Sequence, residues 1–418
     1  MIRPMPLLSS FARRRRTLLP ALLPLVVGVA TATTTASAAT ATASASASAV
    51  GVTATATAAP VNPSGFAIHR GTNLSHWLSQ DFGWAPRDTW ITEKDFGFIA
   101  RQGFDHVRLP IDEKELWLAD NSPNKPEFAR LVQAIEWSRK AGLRVIVDLH
   151  VLKSHHFNAA NEGGTNTLWT DPAAQEHLLA LWRELSARLR HFPLDAVAYE
   201  ILNEPVADNP EDWNKLLMKC YATLRGLEPK RVLVIGANRW QMPENLPLLK
   251  VPEGDKNIIL SFHTYAPMLL THYKADWVPT KVYTGPVHYP GPIVDKATFT
   301  ALTRDYDAGL RNQIGNAAED WGAVRLRKEY EPAIRRAREL GLQLYCGEFG
   351  CLPTVPRADR LAYYRDIVSV FEAEAIAWAN WEYKGDFGIY EWLGLPALCG
   401  APDKQLIEIL VPQDGTKR

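Results

Sequence analysis

The chain has 418 residues, with 46 basic and 46 acidic side chains and therefore no formal net charge at pH 7. No segment builds a basic face of the kind that nucleic-acid-binding proteins use, so nucleic acid is not an expected partner. Fourteen tryptophans are many for this length, and flat aromatic rings serve both as core packing and as surfaces on which sugars stack.

The first sixty residues differ in composition from the rest. Residues 1–38 combine an arginine-rich start, an apolar stretch from Thr17 to Ala30 and a small-residue site at Ala36-Ser37-Ala38. This order predicts a signal peptide and an exported protein, secreted or periplasmic. The apolar stretch is too short and too broken by prolines for a membrane span, so no membrane association is expected after its removal. Residues 39–60 form an Ala/Thr/Ser-rich low-complexity segment with too little apolar surface to fold.

Residues 61–418 alternate short apolar runs with longer amphipathic patterns, and the alternation repeats eight times. This pattern predicts an α/β fold, a single (β/α)8 TIM barrel in one domain. The predicted strands are Phe66–Asn73, Phe104–Pro110, Arg144–His150, Ala196–Glu204, Arg231–Asn238, Ile258–Tyr265, Leu342–Glu348 and Ala375–Trp381.

Two connections are longer than barrel loops usually are, and both follow predicted strands. They run from Val151 to Thr170 and from about Ala266 to Trp321. Connections that follow strands lie on the face where barrel enzymes keep their chemistry, and long ordered loops tend to be functional. We therefore expect extended loops on the catalytic face, forming a cleft wall or lid.

Polar side chains end six of the predicted strands. The fourth ends in Asn203-Glu204-Pro205, and because Pro205 cannot continue a central strand, Glu204 should lie at the carboxyl edge of the barrel. Glu348 ends the seventh strand. One such residue usually only holds a loop, but a set that converges on one rim indicates chemistry. The rest of the set lie at or near the ends of their strands: Arg108 in the second, His150 in the third, Asn203 in the fourth, His263 and Tyr265 in the sixth, and Trp381 in the eighth.

Two carboxylates across a barrel mouth suit glycoside cleavage. One acid protonates the departing oxygen while the other carboxylate attacks the anomeric carbon. The two groups need opposite pKa shifts: a neighbouring guanidinium such as Arg108 and a hydroxyl such as Tyr265 would keep the nucleophile ionised. Burial and the opposing carboxylate would hold its partner protonated.

Seven short stretches occur in a specific order: Arg70-Gly71-Thr72-Asn73-Leu74, His106-Val107-Arg108-Leu109-Pro110, Asp148-Leu149-His150, Leu202-Asn203-Glu204-Pro205, Phe262-His263-Thr264-Tyr265, Gly347-Glu348-Phe349-Gly350 and Trp378–Tyr383. In this order the chain resembles glycoside hydrolase family five, the cellulase family of clan A, over the whole of residues 61–418. The resemblance implies a retaining enzyme in which Glu204 is the acid/base and Glu348 the nucleophile.

The same resemblance implies substrate-binding roles for further side chains at the barrel mouth. Asn203 would contact the 2-hydroxyl of the sugar, and Trp381 would be the floor of its subsite. The other implied contacts are Arg108 and Tyr265 to the nucleophile, and His150 and His263 lining the same subsite. Weaker candidates for further sugar platforms are Trp77, Trp169 and Trp240, which follow strand ends or lie in mouth loops; plain packing explains each of them equally well.

Neither the cysteines nor the histidines indicate a metal site. The spacing of Cys220, Cys346, Cys351 and Cys399 matches no metal motif, and an exported protein permits three disulfide pairings if all four are oxidised. His155-His156 is a weak signal because adjacent side chains on a loop rarely reach one ion. Two carboxylates suffice for glycoside cleavage, so no cofactor is expected.

These observations predict an exported retaining β-glycanase, with endo-β-1,4-glucanase as the first choice and a β-linked polysaccharide or oligosaccharide as its partner. A β-mannanase or an exo-β-1,3-glucanase would use the same mechanism. A non-catalytic carbohydrate-binding barrel is the alternative of another class. A monomer is the expected state.

Overall fold

The structure is a computed structural model that describes residues 60–158, 166–305, 310, 314–393 and 399–412. These residues belong to one compact unit, Ala54–Arg418. The predicted signal peptide and the low-complexity segment up to residue 59 lie outside the described residues, so both stay predictions.

Eight parallel strands close a barrel in which each strand pairs with its neighbours in sequence, and the eighth pairs with the first. This confirms the predicted fold, and each predicted strand overlaps an observed one. Most residues of these strands are buried, as expected for strands covered on both faces. The strands are Arg70–Asn73, His106–Asp112, Arg144–Val151, Val197–Glu200, Leu233–Gly236, Ile258–Thr264, Gln343–Phe349 and Ala377–Asn380.

The fourth strand is shorter than predicted, because it ends at Glu200 rather than Glu204. The residues that follow leave the regular ladder, although the N–H of Asn203 still donates to the carbonyl of Leu149 at 3.0 Å. Glu204 itself has a φ of 43°, in the left-handed region that L-residues seldom adopt. The chain therefore turns sharply where the predicted proton donor lies.

Helices connect the strands and cover the outside of the barrel. In the helix Pro172–Leu189 the Asp171 side chain accepts a hydrogen bond from the N–H of Ala173, and all five leucines of the helix are buried. The helix Ala323–Leu340 ends at Gly341, whose φ of 60° suits glycine. The other α-helices are Arg87–Trp90, Glu93–Gln102, Glu113–Leu116, Lys125–Lys140, Pro210–Leu227, Met268–Thr271, Lys296–Asp305, Arg357–Glu374 and Lys404–Leu410.

The connection between the fifth and sixth strands differs from the others. Its helical segment is a 3-10 helix, Pro243–Leu248, which has one proline at its start and a second inside it. Proline lacks the N–H that a continuing α-helix would need. A turn at residues 239–241 precedes this short helix. The turn brings the side chain of Gln241 to the barrel mouth, where its oxygen accepts from the N–H of Glu204.

The long connection after the sixth strand is structured where it is described. It carries the short helices Met268–Thr271 and Lys296–Asp305, the 3-10 helix Pro279–Val282, and a two-stranded sheet of Gly291–Pro292 with Asp320–Trp321. The N–H of Leu352 donates to the carbonyl of Thr271 at 2.9 Å, which ties this connection to the loop after the seventh strand. A second small sheet pairs Tyr390–Trp392 with Cys399–Pro402.

All four cysteines lie within the described residues, and each is a free thiol. Cys220, Cys346 and Cys351 are buried, so they pack as small apolar side chains. None of the helices in the described part of the chain combines the length and the apolar character that a membrane span requires.

Candidate active site

Glu204 and Glu348 meet at the carboxyl ends of the barrel strands. One carboxylate oxygen of each, together with a ring nitrogen of His263, lie within 4.8 Å of one another. The two glutamates are only 8% and 5% exposed. The structure thus places the two predicted carboxylates face to face in a nearly buried setting.

Arg108 lies beneath this pair and is fully buried. Its Nη1 donates to Oε1 of Glu348 at 2.7 Å, so the guanidinium holds one of the two carboxylates directly. A fully buried cation is tolerated only when its charge and its donors are satisfied. The remaining partners are Asn73 Oδ1 at 3.1 Å, Asn203 Oδ1 at 2.7 Å, Asp148 Oδ2 at 3.0 Å and Glu200 Oε2 at 2.6 Å.

Glu348 has two donors aimed at its two oxygens. Besides Arg108 on Oε1, the hydroxyl of Tyr265 donates to Oε2 at 3.0 Å. Burial raises the pKa of Glu348 above its usual value, while the Arg108 guanidinium and the Tyr265 hydrogen bond act against that rise. These donors favour the ionised form of Glu348.

Among the described residues, no Lys or Arg side chain is bonded to the carboxyl group of Glu204. Its Oε1 lies 2.9 Å from Nδ1 of His263, and burial, followed by the nearby Arg108 charge, lowers the pKa of His263 well below the usual value. The ring of His263 is therefore neutral. Burial and the charge of Glu348 raise the pKa of Glu204 well above the usual value, so Glu204 is the member of the pair that keeps a proton.

The rings of His150 and Trp381 stack on each other at the ends of the barrel strands. Their rings are parallel, with centroids 5.6 Å apart and an interplanar angle of 9°. Nδ1 of His150 lies 2.7 Å from Oδ2 of Asp148, which orients the ring. Burial lowers the pKa of His150 to about 4, so this ring is neutral at pH 7.

Asn203 presents an unused donor at the site. Its Oδ1 accepts from Arg108, but its Nδ2 is buried and has no hydrogen-bond partner among the described residues. A buried N–H group without a partner costs free energy. The amide of Asn203 is therefore oriented by Arg108 and available to a ligand.

The profile of the cellulase family, glycosyl hydrolase family 5, matches residues 55–386 of this sequence. The chain belongs to this family. It is accordingly a glycosyl hydrolase, and the paired carboxylates described above lie within the matched region.

Relatives of this family 5 chain include proteins named endoglucanases. Endoglucanase C of Acetivibrio thermocellus is 34% identical over 326 residues, which span 77% of this chain and 92% of that protein. Endoglucanase Cel5A of Thermotoga maritima has a solved structure with a TM-score of 0.65 at 26% identity, covering 83% of this chain and 98% of that one. A structure of Cel5A in complex with mannotriose substrate has a TM-score of 0.64 at 25% identity, and the match covers 83% of this chain and 99% of that one.

The three weaker tryptophan candidates have different surroundings in this family 5 barrel. Trp77 is fully buried, and its indole N–H donates to the carbonyl of Arg87 at 3.0 Å. Such a ring has no free face for a sugar, so the prediction of a platform at Trp77 is corrected to core packing. Trp169 is half-buried between the rings of His155 and Trp213.

Trp240 precedes Gln241, whose side-chain oxygen accepts from the backbone N–H of Glu204 at 2.8 Å. It is half-buried, its indole N–H donates to the carbonyl of Phe157 at 3.0 Å, and its backbone N–H donates to the carbonyl of Pro205 at 3.3 Å. The turn that carries it is therefore fixed against the loops after the third and fourth strands. Trp240 stays a candidate platform on the Glu204 side of the site.

Several residues of the site were absent from the sequence-based set. Asp148 and Glu200 are fully buried acids that share the Arg108 guanidinium. The signal for both was present in the sequence, since each is an acid inside an apolar strand. Gln241, in the turn after the fifth strand, carried no such signal.

A group of aromatic rings next to Trp381 was also missed. His76 lies 6.4 Å from Trp381, 4.4 Å from Trp84 and 5.3 Å from Phe82, measured between ring centroids. Phe82 is 63% exposed. These rings extend the aromatic surface outward from Trp381 along the loop that follows the first strand.

Two side-chain groups in the described residues have the spacing that a metal ion could accept. The first group is Glu204, His263 and Glu348. The second group is His76, Glu382 and Asp386. In the second group Nε2 of His76 lies 2.9 Å from Oε2 of Glu382, so an ion pair already accounts for the contact. His155 is buried with Nε2 3.3 Å from the carbonyl oxygen of Glu204, as a polar group of the cleft.

Proposed function

We propose that this protein is a retaining endo-β-1,4-glucanase that hydrolyses β-glucan by double displacement. The observation that carries the proposal is the approach of Glu204 and Glu348, whose oxygens lie within 4.8 Å. Retaining glycosidases have carboxyl groups about 5–5.5 Å apart, whereas inverting enzymes need about 6.5–9.5 Å to admit a water. The spacing favours direct attack by a carboxylate.

In the first step the ionised Glu348 attacks the anomeric carbon. The bond from that carbon to the glycosidic oxygen breaks, and Glu204 gives its proton to the departing oxygen. In the second step Glu204, now ionised, takes a proton from water while the water oxygen attacks the anomeric carbon. The glycosyl ester breaks and Glu348 is released as a carboxylate.

The surrounding residues suit the sugar that this reaction requires. The unpaired Nδ2 of Asn203 is placed to donate to a 2-hydroxyl, an interaction that strengthens in the transition state. Trp381 provides the aromatic floor of the subsite. His150 and His263, both neutral, serve as uncharged polar groups that contact hydroxyls without competing for the charge of Glu348.

The choice of β-1,4-glucan rests on the relatives, since those with the broadest coverage are endoglucanases. A β-mannanase is the second candidate, and the complex of Cel5A with mannotriose favours keeping it. An exo-β-1,3-glucanase is the third. The non-catalytic barrel is set aside because the chain is a glycosyl hydrolase. We also infer from residues 1–38 that the protein is exported, secreted or periplasmic. A monomer remains the expected state.

The test is a panel of defined β-glucans, mannans and xylans, with product lengths followed in time. We expect early release of mixed cello-oligosaccharides from soluble β-1,4-glucan. Release of a single short product from chain ends would contradict endo action, and faster cleavage of mannan would select the second candidate.

The role of Glu348 is tested by substitution in the same assay. Glu348→Gln should abolish turnover while leaving binding of cello-oligosaccharides intact, because the amide cannot attack. Glu253→Gln, at an exposed position, is the matched control and should keep full activity. Retained hydrolysis in Glu348→Gln would exclude the assignment.

A further inference from the structure

We propose that Gln241 is a positioning residue that sets the orientation of the proton donor Glu204. The proposal rests on the role given to Glu204 above. Gln241 is fully buried and lies in the turn after the fifth strand, so it touches Glu204 from the neighbouring loop rather than from its own.

Both ends of the Gln241 amide are used. Its Oε1 accepts from the backbone N–H of Glu204 at 2.8 Å, and its Nε2 donates to Oε1 of Glu200 at 3.1 Å. The backbone carbonyl of Gln241 accepts from the N–H of His263 at 3.0 Å. Gln241 therefore contacts the backbone of Glu204 and the backbone of the histidine that faces the Glu204 carboxyl group.

The bond to Glu204 acts on a backbone conformation that needs support. Glu204 has a φ of 43°, and a non-glycine residue in this region persists only where its surroundings fix it. The backbone angles of Glu204 decide where its side chain points. A hydrogen bond to its own N–H is thus the most direct way to hold the carboxyl group toward the scissile oxygen.

The turn that delivers Gln241 is itself strained. Arg239, Trp240 and Gln241 have φ values of 62°, 58° and 53°. The left-handed conformation is unfavourable for L-residues, so three such residues in succession are a costly arrangement. Strain of this kind gathers at functional sites, where the surrounding structure determines it.

The fifth strand is shaped around the same side chain. A Cβ atom on Gly236 would lie 2.2 Å from Nε2 of Gln241, so the absence of a side chain at Gly236 makes room for the amide. This observation is independent of the hydrogen bonds. The strand and the turn that follows it both accommodate the Gln241 side chain.

A glutamine suits this place because it is neutral and has an acceptor and a donor. Glu200, which receives the donor, also accepts from Nε of Arg108 at 2.6 Å. Gln241 therefore links the backbone of Glu204 to the buried ion network that holds Glu348. A second carboxylate in its place would face Glu200 with like charge.

The test is the dependence of kcat/KM on the leaving group in a series of aryl β-cellobiosides. For Gln241→Leu we expect a loss of about 10²-fold on substrates with poor leaving groups, which is the lower end of what a general acid contributes. The 2,4-dinitrophenyl substrate departs without a proton, so its kcat/KM should not change. An equal loss on every substrate would overturn the proposal, as would no loss.

Gln343→Leu is the matched control. Gln343 is also buried, and its Nε2 donates to the carbonyl of Ile68 at 2.9 Å, at the start of the seventh strand. This variant should lose stability without any dependence on the leaving group. A leaving-group dependence as steep as that of Gln241→Leu would show that the effect is general and would overturn the proposal.

Two further variants keep the test decisive. Gly236→Ala displaces the Gln241 amide without removing it, so it should show the same leaving-group dependence even if Gln241→Leu does not fold. A kcat/KM that does not depend on the leaving group in this variant would overturn the proposal.

Glu204→Ala, measured on the same series of substrates, separates this inference from the proposed function. If kcat/KM of Glu204→Ala does not depend on the leaving group, the role of Glu204 itself is refuted. If kcat/KM depends on the leaving group in Glu204→Ala but not in Gln241→Leu, only the inference about Gln241 is refuted.

Discussion

The two carboxylates at the barrel mouth differ in everything that surrounds them. Glu348 lies within its strand and accepts from a buried guanidinium and a tyrosine hydroxyl. Glu204 lies beyond the end of its strand in a left-handed conformation, and its carboxyl oxygen faces a neutral histidine. The same barrel thus favours the ionised form of one glutamate and the protonated form of the other, because Glu348 is bonded to the Arg108 guanidinium and Glu204 faces a neutral histidine.

The two glutamates are also held at the barrel mouth by different kinds of interaction. The Glu348 side is held by the ion network of Arg108, whose partners come from four other strands or their ends. On the other side, the backbone of Glu204 is held by the side chains of His155 and Gln241, which lie in the loops after the third and fifth strands. Substitutions on the first side should therefore alter charge, and those on the second side should alter geometry.

After the loss of turnover expected for Glu348→Gln, the largest expected effect comes from removing the proton donor. Glu204→Ala should reduce kcat/KM on soluble β-1,4-glucan by about 10²–10⁴-fold, the usual contribution of a general acid. Steady-state hydrolysis rates would measure the loss. Added azide should restore turnover of the 2,4-dinitrophenyl cellobioside, because azide attacks the glycosyl-enzyme without a general base. Failure of azide rescue would argue against this role.

The Arg108 network gives the next effect. Arg108→Leu leaves three buried carboxylates without their cation, and breaking a buried pair costs about 3–5 kcal/mol of unfolding free energy. Urea denaturation would measure it. Without the guanidinium the pKa of Glu348 should rise further, so the acidic limb of the activity profile should move to higher pH in any active fraction.

Arg231→Leu is the control for this comparison. Arg231 is equally buried and pairs with Glu228 at 2.8 Å, away from the two carboxylates. Both variants should be destabilised, but only Arg108→Leu should move the acidic limb. An unmoved limb in Arg108→Leu would contradict the account of how Glu348 is kept ionised.

The wild-type pH profile tests the opposite ionisation directly. Activity needs Glu348 ionised and Glu204 protonated. As pH falls through the pKa of Glu348 its carboxylate gains a proton and the rate falls; as pH rises through the pKa of Glu204 the acid loses its proton and the rate falls again. The plot of kcat/KM against pH should be bell-shaped, with both limbs above the ordinary carboxyl value. A profile that stays flat from neutral to alkaline pH would disagree.

The smallest effect is expected at Tyr265. Tyr265→Phe removes a hydrogen bond to a charged oxygen, worth about 1.5–3 kcal/mol, so kcat/KM should fall by about tenfold or more. Tyr221→Phe is the matched control, because Tyr221 donates to Oδ2 of Asp255 at 3.1 Å on the outside of the barrel. Equal activities of the two variants would show that the Tyr265 hydroxyl does not act on Glu348.

Sequence patterns predicted the barrel because each buried strand is a local signal. The residues at the strand ends followed from the same reasoning, since parallel strands share one edge. The short fourth strand and the left-handed conformation of Glu204 could not be predicted, because neighbouring loops impose them. Gln241 reaches Glu204 across 37 positions, a contact that no periodicity encodes.

The tryptophans show the same limit of prediction from the sequence. Trp77 and Trp240 both occur near strand ends in the sequence, yet one is enclosed by the core and the other is only half-buried beside the site. Burial of a large ring depends on which distant helices and loops cover it. The ion network of Arg108 likewise forms only when the barrel closes, since it joins residues up to 240 positions apart.

The central claim is that Glu348 forms the covalent bond to the sugar. Incubation with a 2-deoxy-2-fluoro-β-cellobioside bearing a good leaving group slows both steps and traps the glycosyl-enzyme for peptide mass spectrometry. The account predicts one added fluorocellobiosyl group per chain, on the peptide that contains Glu348. A label on Glu204, or hydrolysis with inversion and no label at all, would contradict it.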